Sequence, residues 1–494
     1  MNYSIVFKLV SVLTGVMCVA FSLCAAVSAV FASEAGDAEA FPSWVCIIAL
    51  TITAALSLYL PSRNAPKRIF RKEALCAVGV VWILAVLLGA LPYMFILGCG
   101  FSNALFESAS GLTSTGASVF GDVECMPKSL LFWRSFSQWI GGLGVVVFFV
   151  AILSFIGSGA KMMYSHEASA NANGSIETER IKSAIFKIFV IYSAISTACW
   201  VSFVACGMGW FDGLCHMCST VSTGGFSVYN DSIAHYESNL IAWIVTVFMF
   251  IGGISFFTML NLFRGKFIKF ATNSELITYI AILLIATLAT TVIVLKDANL
   301  ADIDTWGKAI TKSCFQCVSI MTSTGFITAD YQTWLPAAHA ILFALMVIGG
   351  CAGSTSGGLK VSRALAGIKL LRRELERVLR PRVVRNVRID GKTFDESETT
   401  GLFSFITLYS FCVLLGTLCL SLSEPQMSLI ASMSACVSAL SNVGPGFNET
   451  GPVQNYGFMS DISKTLLSIL MVMGRLEFYS ILILFMPSLW KKFQ

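Results

Sequence analysis

Ser219-Thr220-Val221-Ser222-Thr223-Gly224-Gly225-Phe226 closes a short, moderately apolar segment, residues 211–227, that lies between two long apolar runs. Three other segments share its character: residues 102–118, ending Leu112-Thr113-Ser114-Thr115-Gly116-Ala117-Ser118; residues 306–328, ending Met321-Thr322-Ser323-Thr324-Gly325-Phe326-Ile327-Thr328; and residues 427–447, ending Leu440-Ser441-Asn442-Val443-Gly444-Pro445-Gly446-Phe447. Each is rich in Ser, Thr and small residues and ends in a glycine turn. They recur about every 100–120 residues, a periodicity that makes the chain an internal repeat. Each segment is too short to cross a bilayer and too apolar for a simple loop. A re-entrant hairpin fits, with a half helix descending and an extended strand climbing back. Irregular backbone survives at membrane depth only when buried in protein or lining a water-filled cavity.

The runs around these segments place the chain in a membrane. Hydrophobic residues make up 56% and charged residues 12%, against about 45–50% and about 25% in soluble domains. A helix needs about 20 apolar residues to span. Ten stretches qualify: residues 9–31, 43–62, 74–98, 130–158, 181–206, 239–263, 275–296, 334–349 with its continuation, 398–422 and 461–488. The first is longer than the apolar region of a cleaved signal, so it reads as a retained span. The expected fold is an all-α polytopic membrane protein: four span–pore-loop–span repeats around a pseudo-fourfold pore, plus two extra N-terminal transmembrane helices. The expected division is 1–73 for the added pair, 74–180, 181–274 and 275–397 for repeats one to three, and 398–494 for repeat four. Ten spans put both termini on one side. Basic clusters at 63–72, 180–187, 264–269, 360–392 and 491–492 make that side the cytoplasm, and the acidic stretch 34–39 falls outside. Retention of positive charge accounts for these clusters, and no nucleic-acid partner is expected.

Four such turns suit a particular chemistry. A dehydrated cation needs several oxygen ligands at once, and four loops meeting on one axis can supply rings of backbone carbonyls. Glycine permits the backbone angles this requires, and the preceding Ser and Thr keep the strand extended and add hydroxyls.

Two further features lie below the expected turns. The stretch 349–358 interrupts an apolar span, and Gly353-Ser354-Thr355-Ser356-Gly357-Gly358 cannot be a stable lipid-facing helix. It reads as a flexible break beneath the third turn, or as a packing kink. Arg475 sits near the middle of the last span, where a charge must face protein or water. Glu477, two residues on, points elsewhere on a helix. Arg475 therefore needs another partner: the pore, the break, or a carboxylate on another span.

The repeats resemble the TrkH/KtrB/HKT superfamily of potassium transporters over essentially the full chain, and the two added spans resemble its TrkH branch. The resemblance rests on Ser219 to Phe226, on Asn442-Val443-Gly444-Pro445-Gly446-Phe447, and on Gly350-Cys351-Ala352-Gly353-Ser354-Thr355-Ser356-Gly357-Gly358-Leu359-Lys360. It implies potassium uptake across the inner (plasma) membrane. The potassium-binding filter it implies comprises Ser114, Thr115 and Gly116; Ser222, Thr223 and Gly224; Ser323, Thr324 and Gly325; and Asn442, Val443 and Gly444. It also implies that 353–358 is an intramembrane gate loop with Arg475 beside the ion path. Glycine in all four repeats implies potassium rather than sodium. The family's partners would be a cytosolic TrkA-like nucleotide-binding regulatory subunit and a second copy of the chain, as a homodimer. The amphipathic basic stretch Leu370-Leu371-Arg372-Arg373-Glu374-Leu375-Glu376-Arg377-Val378-Leu379-Arg380, stopped by Pro381, would dock that subunit or lie on anionic lipid.

Other functions find less support. A sodium- or proton-coupled symporter is the alternative within transport, although no intramembrane carboxylate relay stands out. A polytopic membrane enzyme would need a catalytic cluster, and His166, His216, His235 and His339 are scattered. No phosphate-binding GxxxxGK[ST] loop occurs, so no cofactor is expected in this chain, and any nucleotide dependence would come from a partner. The 16 cysteines lie mostly in apolar runs. Cys215/Cys218 and Cys314/Cys317 read as helix packing rather than metal ligands, and nothing forces Cys99 and Cys125 to pair.

Overall fold

The computed structural model describes residues 3–34, 36–64, 71–155, 174–296, 303–380, 388–390, 392–393 and 396–487. Pro381, the tail pair Lys491 and Lys492, and most of the basic run 63–72 lie outside the described residues.

Among the described residues helices dominate, with one two-residue antiparallel pairing, Arg388–Ile389 with Lys392–Thr393. Six described helices are long and apolar enough to cross a membrane: Ser4–Val30, Asp37–Ser62, Cys76–Leu97, Ile185–Ala205, Ser274–Lys296 and Glu398–Ser423. Their outward faces are apolar. On the helix Ser274–Lys296, Ile285 and Leu288 are 68% and 67% exposed, while Leu283 and Ala286 turn inward. Such a continuous apolar exterior is stable only against lipid.

Two expected straight spans are broken instead. Residues 239–263 form Asn239–Gly252 and Phe256–Phe263, bent by 97°, and the last span divides into Asp461–Arg475 and Tyr479–Phe485, bent by 112°. The second break falls where Glu477 and Phe478 take left-handed φ of 53° and 63°, which ends an α-helix. The span expected from 334 is the short helix Pro336–Ile348, and the chain resumes as Val361–Leu379 after an irregular stretch. The span 130–158 lies in the helix Lys128–Phe155, beyond which the chain is not described until residue 174.

Between the long helices sit four short ones: Phe101–Leu112, Trp210–Val221, Ile303–Met321 and Leu429–Ser441. Their C-terminal turns are fully buried, with Thr113, Ser222, Thr322 and Ser441 all 0% exposed. One apolar core joins the second and third units through Tyr192, Phe256, Tyr279 and Phe326. Another joins the fourth and first through Phe106, Leu440, Leu467 and Phe478. The added N-terminal pair docks on the first unit through Phe21, Trp44 and Trp133. There the buried Asp37 carboxylate accepts the N–H groups of Lys128 (2.8 Å) and Ser129 (3.1 Å) and so caps the helix that follows.

Candidate functional site

The four short helices end in one backbone pattern. After the helix, Ser114, Thr223, Ser323 and Asn442 are left-handed, with φ of 54°, 53°, 57° and 52°. The next residue donates its N–H five residues back: Thr115 to Ser110 O (2.8 Å), Gly224 to Ser219 O (2.7 Å), Thr324 to Ser319 O (2.8 Å) and Val443 to Ser438 O (3.0 Å). The residue after that is a glycine at positive φ: Gly116, Gly225, Gly325 and Gly444, at 83°, 80°, 78° and 99°.

This fixes the register and corrects one expectation. In the second unit the equivalent triple is Thr223-Gly224-Gly225, not Ser222-Thr223-Gly224. Ser222 belongs to the helix cap, with its hydroxyl donating to Cys218 O at 2.7 Å. The Ser-Thr-Gly spelling recurs one residue early because the second unit carries two glycines. The shared Gly-Phe that follows, Gly225-Phe226 and Gly325-Phe326, is the signal that sets the register.

The triples close into a ring. A Cβ on Gly116 would strike Gly224 O, one on Gly225 would strike Thr324 O, one on Gly325 would strike Val443 O, and one on Gly444 would come within 2.6 Å of Thr115 O. Each positive-φ glycine thus seats the preceding carbonyl of the neighbouring unit, in the cyclic order one, two, three, four. Only a residue without a side chain permits both the angle and the approach. On one side Gly116, Gly225, Gly325 and Gly444 all line a single open cavity of about 200 Å³. The remaining expected residues, Ser114, Thr115, Thr223, Gly224, Ser323, Thr324, Asn442 and Val443, are buried.

Polar side chains brace the ring from behind. Asn442 donates Nδ2–H to Thr115 Oγ1 (2.9 Å) and Met471 O (3.0 Å), which joins the fourth unit to the first. Thr113 and Thr115 share a hydroxyl bond of 2.7 Å, and Thr322 and Thr324 one of 2.8 Å. Sequence reasoning missed two further groups. The buried ion pair Arg134–Glu107 (2.7 Å) joins the first two turns: Glu107 accepts from Ser118 and Val119, and the Arg134 guanidinium lies 4.2 Å from the Phe226 ring centre. Gln138, 0% exposed, touches the second turn. Neither carries a spelling that sets it apart from a helix face.

On the other side of the ring lies the irregular stretch 349–360. Thr355 Oγ1 is 3.2 Å from Val221 O, Gly252 O and Thr223 Oγ1 at the base of the second turn. Gly357 donates its N–H to Ser323 Oγ in the third (2.6 Å), and a Cβ on Gly357 would strike Ser441 O in the fourth. Arg475 donates to Thr355 O (2.6 Å) and, across the assembly, to Ser114 Oγ in the first (3.2 Å). Loop and arginine together therefore touch all four turns from one side. Ser354 and Ser356 are linked by their hydroxyls (2.6 Å), Gly353 O accepts from Phe256 N–H (3.0 Å), and Gly358 holds φ at 81°. Glu477 points away from Arg475, to Arg363 at 2.5 Å.

A second repeat accompanies this arrangement and escaped the sequence reading: Ile140-Gly141-Gly142, Ile251-Gly252-Gly253, Ile348-Gly349-Gly350 and Met473-Gly474-Arg475. In the first, second and fourth units its first glycine lets the following helix touch the end of the short helix, whereas in the third Gly349 and Gly350 meet the loop, at Gly357 O and Ser356 Oγ. A Cβ on Gly141 would strike Leu112 O, one on Gly474 would strike Leu440 O, and one on Gly252 would sit 3.3 Å from Val221 O. Its second glycine meets the next unit, Gly142 against Ser222 (2.9 Å) and Gly253 against Thr322 (2.9 Å). Arg475 occupies that second position in the fourth unit, which is why it reaches the first.

Cys351 lies in the loop and meets its neighbours through its backbone, with its amide donating to Gly253 O and its carbonyl accepting from Ser354. All 16 cysteines are free; Cys99 donates to Tyr93 O and Cys125 to Asp122. At the rim, hydrogen bonds from Cys125 and Asn230 hold the Asp122 carboxyl below the usual carboxylate range, and Asp122 in turn raises the Cys125 thiol.

Known proteins resemble this chain in sequence and fold. A family model described as TrkH, cation transport protein, matches residues 45–492. The chain is 31% identical over 455 residues to the Trk system potassium uptake protein TrkH of Halomonas elongata, covering 91% of this chain and 92% of that one. It is 30% identical over 492 residues to the protein of the same name from Vibrio parahaemolyticus, covering 98% and 99%. It is 32% identical over 428 residues to the Trk system potassium uptake protein TrkG of Escherichia coli, covering 85% and 86%. The crystal structure of the potassium transporter TrkH from Vibrio parahaemolyticus superposes with a TM-score of 0.89 at 28% identity, covering 99% of this chain and 100% of that one.

Proposed function

This chain belongs to the TrkH family of cation transport proteins, and we propose that it takes up potassium across the plasma membrane through the ring formed by its four turns. It is a multi-pass membrane protein and not an enzyme. The observation that carries the proposal is the cyclic seating of one carbonyl per unit, Thr115, Gly224, Thr324 and Val443, against the neighbour's glycine. Rings of such carbonyls replace the hydration shell of a dehydrated cation. The filter is assigned to Ser114-Thr115-Gly116, Thr223-Gly224-Gly225, Ser323-Thr324-Gly325 and Asn442-Val443-Gly444. The open cavity is its outer mouth, and the four repeats divide the chain as the sequence spacing implies.

The loop 353–358 and Arg475 form the gate. A fixed charge and a packed loop directly beneath the filter oppose the passage of a cation, and glycines at 353, 357 and 358 let the loop move at little steric cost. The gate is worked from the cytoplasm, where both termini lie. The helix Val361–Leu379 continues from the loop and carries Arg372, Arg373 and Arg377 on its exterior, with Arg380 just beyond, a surface suited to a TrkA-like regulatory subunit. The complete transporter is a homodimer. Flux of potassium, rubidium, sodium and lithium into proteoliposomes tests the proposal; equal sodium and potassium flux would remove the filter assignment.

A further inference from the structure

The ring is not fourfold in its side chains. At the position of the seated carbonyl, three units carry Thr115, Thr324 and Val443, and the second carries Gly224. Gly224 is not at positive φ, so its backbone does not require glycine. Space does: a Cβ there would run into Gln138, striking Cδ and lying 2.9 Å from Cγ. Gln138, from the helix Lys128–Phe155 of the first unit, occupies the volume that a side chain at 224 would need.

It also makes two bonds that no side chain at 224 could make. Gln138 Nε2–H donates to Gly224 O at 2.6 Å, and Gln138 Oε1 accepts the Phe226 N–H at 3.2 Å. The amide's orientation is fixed by this pair, because exchanging its ends would set acceptor against acceptor and donor against donor. The main-chain carbonyl of Gln138 accepts from Ser114 Oγ at 3.2 Å, so one residue braces the first and second turns. The second turn holds two adjacent glycines, so two of its residues have no side chain of their own to brace them.

We infer that Gln138 is a positioning residue for ion selection, clamping the second turn so that the Gly224 carbonyl keeps its place in the ring. This rests on the reading of the four turns as the filter. A carbonyl has two acceptor sites, so the clamp leaves one for the ion. Discrimination between cations of similar size depends on how firmly the ligands are held.

The test is a set of potassium-over-sodium flux ratios in proteoliposomes, each normalised to inserted, monodisperse protein. Gln138→Met keeps the volume and removes both bonds. Gln138→Glu keeps the shape and sets a carboxylate oxygen against Gly224 O. Both should lower the ratio roughly three- to tenfold, the loss expected from one neutral hydrogen bond. Gly224→Ala should insert poorly in the parent and better when combined with Gln138→Ala, since the two changes share one space. If the parent is selective and both Gln138→Met and Gln138→Glu match its ratio, Gln138 merely packs and the inference fails. If Gly224→Ala gains nothing from Gln138→Ala, the shared-space argument fails. If the parent itself passes sodium and potassium equally, the filter reading fails instead.

Discussion

Arg475 donates a 2.6 Å hydrogen bond from its guanidinium to the backbone carbonyl of Thr355, the central residue of the irregular loop beneath the ring. The same guanidinium reaches Ser114 in the first unit, so one side chain ties the loop to the turn that the loop itself does not reach. The buried Nε has no hydrogen-bond partner among the described residues, so these two bonds are what offsets a charge that is costly at membrane depth.

Breaking that tie should favour conduction. Arg475→Ala, or deletion of residues 353–358, should raise potassium flux without any regulator. A charge-assisted bond contributes about 1.5–3 kcal/mol, enough to shift a closed–open equilibrium roughly tenfold or more. Selectivity should be kept, because Arg475 and the loop bond to the side chains of Ser114, Thr223 and Ser323 and not to the four seated carbonyls. Flux per inserted protein is the measurement, and parent-level flux in both variants would reduce the loop to a packing kink.

The register of the second turn gives a sharper test of the ring. Gly116→Ser and Gly225→Ser place a side chain at positive φ and against a neighbouring carbonyl. Both should lower potassium-over-sodium discrimination in the same direction. Reversal potentials under mixed ions read the effect; a Gly225→Ser protein as selective as the parent would return the register to Gly224.

The turns were legible in the sequence because backbone demands leave a spelling. Positive φ and close approach call for glycine, and glycine followed by Phe, Ala or Pro recurs at Gly116, Gly225, Gly325 and Gly444. The same logic made the break at 353–358 and the isolated Arg475 visible. The one-residue slip at Gly224 arose because its glycine answers to Gln138, a side chain 86 residues away, and not to its own backbone. Arg134, Glu107 and Gln138 stayed hidden because their partners lie far off in sequence, 27 residues away for the Arg134–Glu107 pair and 86 for Gln138 and Gly224, and helix periodicity alone shows them as ordinary buried positions. The two broken spans were hidden as well. Phe478 and Glu477 are left-handed without being glycine, held there by packing and by Arg363.

The ion pair Arg134–Glu107 should matter for stability more than for conduction. Both side chains are buried, at 2% and 0% exposure, and removing one leaves the other unpaired. Glu107→Gln or Arg134→Met alone should cost about 3–5 kcal/mol, read as an early loss of monodispersity on heating in detergent. The double change should cost less than the sum of the single ones.

At the rim, Cys125 offers a probe of sidedness and charge. The Asp122 carboxylate accepts from its thiol and raises the thiol's pKa, so less thiolate is present at neutral pH. An impermeant maleimide added outside should label Cys125 slowly at pH 7 and faster as pH rises. Asp122→Asn should shift that rise to lower pH. Labelling of intact cells from outside, followed by peptide mass analysis, checks both the shift and the assignment of this rim to the exterior.

The proposed filter takes one carbonyl from each of four units, Thr115, Gly224, Thr324 and Val443, to select a dehydrated potassium ion. Its most direct test is uptake into proteoliposomes of purified protein, with potassium, rubidium, sodium and lithium supplied in turn at equal concentration. Fast uptake of potassium and rubidium with slow uptake of sodium and lithium is the predicted result. Equal uptake of all four ions by correctly inserted protein would contradict it.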